Sequence, residues 1–82
     1  MSEVWGLEEK ARRVLQASAV ESFGRAGVYV MMSEVMKRAN LSDPEEFRAI
    51  AKYLEWQGWI TEADTEYGVF VLTTEGIDIA KD

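Results

Sequence analysis

Residues 41–60, LSDPEEFRAIAKYLEWQGWI, decide how the rest of this 82-residue chain reads. Asp43 suits an N-cap, Pro44 fits the first helical position, where no N–H is needed, and Glu46 completes a capping box. Glu45 and Glu46 also suit the positive end of the helix dipole. At about 100° per residue, Phe47, Ile50, Ala51 and Leu54 share one apolar face. Arg48, Ala49, Lys52 and Trp56 occupy the opposite face, with Tyr53 and Glu55 on its flanks. Gly58 supplies a left-handed stop, after which Trp59-Ile60 enters a strand. The expectation is an amphipathic helix over 44–57 whose basic and aromatic outer side is free to meet a ligand.

Upstream, Leu7, Ala11, Val14, Leu15 and Ser18 fall on one face of a helix over about 7–21, with Glu8–Arg12 and Glu9–Arg13 placed as i,i+4 pairs. Trp5, Ala19, Val20 and Phe23 lie toward its back, either as a lid over the core or as half of a homodimer seam. Gly24-Arg25-Ala26-Gly27 reads as a turn, and Val28-Tyr29-Val30-Met31 as a brief strand. Ser33 is the expected cap of a helix over 33–39, with Val35 and Ala39 inward and Asn40 closing it. Met31, Met32 and Met36 read as core filler first and as an adaptable binding surface second. Downstream, residues 59–72 read as a hairpin, and Thr73 as the cap of a last helix over 74–80. Phe47, Ile50 and Leu54 should be buried with Val14, Leu15, Val35, Ile60 and Leu72.

Composition narrows the function. A hydrophobic fraction of 48% and a charged fraction of 29% suit one globular α+β domain spanning 1–82. With neither Cys nor His, thiolate and imidazole chemistry is closed, and no metal site is expected. The hairpin tip at 64–68 carries hard oxygens but lacks the EF-hand spacing, so it reads as a plain tip. The chain is too small to enclose a substrate cleft and no nucleophile has an activator. No catalytic residue and no cofactor are therefore expected. Apolar runs are short of a membrane span and no leader pattern precedes the first helix, which makes a cytoplasmic location the default.

The net charge is −6, unevenly spread. Residues 61–82 hold six acids against Lys81 alone. Because nucleic-acid affinity comes largely from Lys and Arg neutralising phosphates, any DNA contact belongs to the middle of the chain.

The order helix, strand, helix, helix, hairpin, short helix resembles the winged helix-turn-helix. Ser33-Glu34-Val35 through Leu41-Ser42 is similar to the opening of helix 2 in such domains. Tyr53-Leu54-Glu55 with Gly58-Trp59-Ile60 resembles the exit from their recognition helix, and Leu72-Thr73-Thr74-Glu75-Gly76 with Ala80 the segment after the wing. These strings look like those of small MarR-, PadR- and ArsR-like prokaryotic regulators. They mostly encode fold: Leu54, Ile60 and Leu72 as core, Gly58 and Gly76 as releases of the backbone. The resemblance implies a three-helix core, a β-hairpin wing and a short C-terminal helix, with duplex DNA met by Arg48, Ala49, Lys52, Tyr53 and Trp56.

Two departures stand beside it. The recognition helix opens on Asp43-Pro44-Glu45-Glu46, and the wing carries Glu62, Asp64 and Glu66. The C-terminal helix is also too short to be the long dimerising helix of MarR- or PadR-like proteins, so a dimer would use helix 1. The alternative expectation is a protein-binding module using Tyr53, Trp56, Glu62, Asp64 and Glu66. On the bland reading, Arg48 and Lys52 belong to a salt ladder with Glu45 and Glu55, and Trp56 lies over the wing against Lys52.

Overall fold

The structure, a computed structural model, describes residues 2–64 and 66–81, with side chains from Glu8 onward. Expectations resting on the side chains of Trp5 and Leu7 fall outside the described residues. Seven elements follow one another: α1 (Ser2–Glu21), β1 (Tyr29–Met31), α2 (Met32–Arg38), α3 (Pro44–Trp56), β2 (Ile60–Asp64), β3 (Val69–Leu72) and α4 (Thr74–Lys81). The fold is α+β, with four helices and a three-stranded antiparallel sheet in the order β1-β3-β2 among the described residues.

α3 forms as its sequence requires. Asp43 accepts the Glu45 N–H through Oδ1 at 2.9 Å, and Pro44 opens the helix. Phe47, Ile50, Ala51 and Leu54 are all buried. The reciprocal half of the capping box is absent. Glu46 instead makes an ion pair with Lys10 of α1, so a residue expected to hold a local N–H ties two helices together.

Three helices end in the same way. The amides of Gly24, Leu41 and Trp59 donate back to Ala19, Met36 and Leu54 at 2.8, 2.8 and 3.0 Å. The residue before each donor is left-handed: Phe23 (φ 59°), Asn40 (φ 62°) and Gly58 (φ 82°). This is the Schellman closure, which satisfies carbonyls that the helix leaves open. Gly58 adopts it without steric cost and Asn40 at little. Phe23 adopts it against its Cβ.

α1 begins five residues earlier than its apolar pattern suggested, running through Gly6 despite that residue's low helix propensity. The expected i,i+4 pairs do not close among the described residues. The ion pairs formed by α1 reach other helices, Lys10 to Glu46 and Glu21 to Arg38. Ser33 does not cap α2. β1 runs straight into the helix from Met31, which offers no side-chain cap, and the Met32 amide is held by the Gly68 carbonyl at 2.7 Å. Because the helix begins at Met32, Ser33 is already its second residue and cannot cap it.

The core draws on every element: Val14 and Leu15 from α1, Val30 from β1, Val35 from α2, α3's apolar face, Ile60, Phe70, Leu72 and Ile77. All eight residues expected inside are there. Phe70 is fully buried with its ring centroid 6.3 Å from that of Phe47. Met32 and Met36 pack against the cluster, while Met31 is exposed. The buried hydroxyls of Ser18 and Ser22 donate to the carbonyls of Val14 and Ala19 at 2.6 and 3.1 Å, so neither leaves an unpaired polar group inside.

α4 docks through two linked features. The Thr73 hydroxyl accepts the Gly76 N–H at 3.1 Å, the expected cap, and donates to the Gly58 carbonyl at 2.7 Å. The Thr73 amide donates to the Trp59 carbonyl at 3.0 Å. Gly76 does not release the backbone as expected. A Cβ there would stand 2.1 Å from the Trp59 carbonyl oxygen, so its role is close approach. No described helix is long and apolar enough to cross a membrane.

Candidate functional site

Two surfaces carry the residues singled out from sequence. The first is the outer side of α3, where Arg48, Ala49, Lys52 and Trp56 stand exposed in one row. Because Phe47, Ile50 and Leu54 are claimed by the core, the helical repeat forces these four to solvent. Trp56 is 82% exposed, which excludes a Trp folded over the hairpin. Arg48 Nη1 lies 3.8 Å from Glu45 Oε1, a loose pair between exposed groups, and Lys52 and Glu55 form no ion pair. Half of the expected salt ladder is thus absent. Among the described residues Lys52 has no ion-pair partner, and Arg48 has only the loose one with Glu45.

Tyr53 does not belong to that row. It turns toward α1 and α4, meeting Trp59 edge-on with ring centroids 6.2 Å apart. The two rings line a groove of about 580 Å³ with Leu15, Ile79 and Arg12. A flank position on a helical wheel leaves both directions open. Trp59, placed by the turn at Gly58, decides between them.

The second surface is the outer face of the sheet. Glu62 is left-handed (φ 52°) within an irregularity of the β2–β3 register between Thr61 and Asp64. Regular alternation from the buried Ile60 would turn Glu62 back toward the core. The bulge keeps its charge outside, where Glu62 Oε1 accepts the Tyr29 hydroxyl at 2.8 Å. That hydrogen bond, then the charges of Glu62 and Asp64, hold the Tyr29 phenol above its ordinary pKa. Asp64 Oδ1 accepts the amides of Glu66 and Tyr67 at 3.0 and 3.3 Å, so one of its oxygens is used to close the hairpin tip. Thr65 lies outside the described residues.

Tyr29, Tyr67 and the bulge were not read as site residues from sequence. The β-branched and aromatic run of β1 was visible, but nothing local says that Tyr29 meets a carboxylate 33 positions away. Comparison of the chain with protein-family models, with curated proteins and with solved structures finds no match.

Proposed function

We propose that the chain is a winged helix-turn-helix protein that binds duplex DNA through the outer side of α3, in the manner of a small transcriptional regulator. The connectivity supports it: α2 and α3 are joined by a tight turn at Asn40, the β2–β3 hairpin follows α3, and β1 completes the sheet. The observation that carries the DNA reading is the row Arg48-Ala49-Lys52-Trp56, which the core leaves unused and which α3 offers as a unit. Arg48 is placed to meet base edges or phosphates, Lys52 to meet a phosphate, and Trp56 to cover sugar and base surface. The hairpin, with Glu62, Asp64 and Glu66, stands clear of the phosphates.

The same α3 surface also carries Glu45 and Glu55, so its charge balances. Affinity is then modest for a monomer. A homodimer joined through Val20 and Phe23, both exposed at the end of α1, would present two such rows to successive half-sites. Anisotropy of a labelled duplex tests the assignment: Arg48→Ala and Lys52→Ala should each weaken binding. Replacing Glu62, Asp64 and Glu66 together with Lys should tighten non-specific binding and steepen its salt dependence. Equal affinity in all these variants would contradict it.

A protein-binding reading is favoured by one observation, the 82% exposure of Trp56, since tryptophan is enriched among interface anchors. On that reading no duplex binds at low salt, and Trp56 with the acidic hairpin is the contact surface.

A further inference from the structure

The outer face of the sheet holds a second feature that α3 does not use. Tyr29, Tyr67, Ala63 and Val69 line a groove of about 500 Å³ bordered by the carboxylates of Glu62 and Asp64. Tyr29 and Tyr67 are 60% and 75% exposed, and Met31, paired in register with Val69, extends the same apolar strip. No residue lining the groove is basic.

We propose that this groove is a docking site for an extended peptide segment carrying alternate Lys or Arg side chains. Charge complementarity names the occupant. Glu62 uses Oε1 for Tyr29, and Asp64 uses Oδ1 for the turn, so among the described residues the second oxygen of each has no hydrogen-bond partner and can meet a cation. The exposed Glu66 adds a third carboxylate at the tip. Tyr faces beside carboxylates suit a guanidinium or ammonium group, which the ring attracts electrostatically while the acid pairs with it. An extended segment places every second side chain on one side, so basic residues can meet the acids while the residues between them face away. Val69, Ala63 and Met31 accept the aliphatic stems of the same Lys or Arg side chains.

The Glu62 conformation fits this use. A non-glycine residue in the left-handed region is sparsely populated, and here it sets a carboxylate beside a tyrosine on the open face. The hydrogen bond to Glu62 raises the Tyr29 phenol pKa, and the charges of Glu62 and Asp64 raise it further, in keeping with a carboxylate held at the hydroxyl. The groove does not depend on what α3 binds, and it gives the protein-binding reading a partner of stated chemistry.

The test is an anisotropy titration of a labelled octapeptide of alternating Arg and Val, with an alternating Glu and Val octapeptide as control and no DNA present. Binding of the Arg peptide alone is expected. Glu62→Gln with Glu66→Gln should weaken it by roughly two- to thirty-fold, the range for two exposed charge pairs. Tyr29→Ala should weaken it by roughly two- to five-fold through loss of the cation–π contact. Glu8→Gln with Glu9→Gln, the same charge change on α1, should leave it unaltered. Circular dichroism of each variant separates loss of binding from loss of fold. Equal binding of the two peptides, or an Arg-peptide affinity indifferent to the Glu62, Glu66 and Tyr29 changes in folded variants, would overturn the proposal. So would displacement of the peptide by self-association of the protein at the same face.

Discussion

Gly76 stands where α4 crosses the backbone of Trp59, with no room for a Cβ. Substitution by Ala gains roughly 1 kcal/mol of helix propensity but forces a clash with main chain, an overpacking that typically costs about 1–3 kcal/mol or more. Because backbone cannot swing aside as a side chain can, Gly76→Ala should lower stability by about 2 kcal/mol net in denaturant unfolding. A more stable variant would mean that α4 does not pack there. Tyr29 makes a different single-residue prediction. Its folded pKa is raised, so the folded state holds its proton longer than the unfolded chain. The associated stability is complete below the ordinary tyrosine pKa and is lost as pH rises through the folded value. In a spectrophotometric titration, Tyr29 should ionise later in the parent than in Glu62→Gln, and Tyr29→Phe should remove part of the alkaline loss of stability. An unchanged alkaline limb in both variants would place Tyr29 away from Glu62.

Elements were legible wherever their signals are local. The Asp43 cap, the apolar face of α3, the stops at Asn40 and Gly58 and the Thr73 cap all act within one or two turns of chain. Each is where its spacing puts it. What escaped depends on distant partners. Glu46 leaves its own helix end for Lys10, Ser33 falls inside a helix that starts at Met32 where β1 leaves the sheet, and Tyr53 follows Trp59 rather than Arg48. The Glu62 bulge escaped because alternation along a strand carries no sign of where the register slips. The packing of α3 has a direct test. Leu54 is fully buried, so Leu54→Ala should destabilise by about 2–5 kcal/mol in chemical unfolding. A loss under roughly 0.5 kcal/mol, the scale of ordinary surface changes, would contradict the orientation of the helix and with it the exposure of Arg48, Lys52 and Trp56.

Over the whole molecule, several of the exposed large apolar side chains among the described residues stand beside charge: Trp56 beside Lys52, and Tyr29 and Tyr67 beside the hairpin carboxylates. Arg48 and Lys52 stand on the outer side of α3, and the hairpin carries the carboxylates of Glu62, Asp64 and Glu66. At the end of α1, Phe23 combines 86% exposure with a left-handed backbone. Phe23→Gly should therefore stabilise the monomer by roughly 0.5–1 kcal/mol, the αL strain relieved being only partly offset by the greater chain entropy that Gly loses on folding. If α1 forms the dimer seam, the same change should shift micromolar sedimentation toward monomer. A parent that is monomeric at those concentrations would remove the seam. The most direct measurement is anisotropy of a labelled duplex with the parent protein across a range of salt. Each phosphate contact contributes a slope of about −0.9 in log K against log salt, so Arg48 and Lys52 should give a slope near −2 per monomer, and about twice that for a dimer. No binding to duplex even at low salt would contradict DNA recognition by α3 and leave the protein-binding reading in its place.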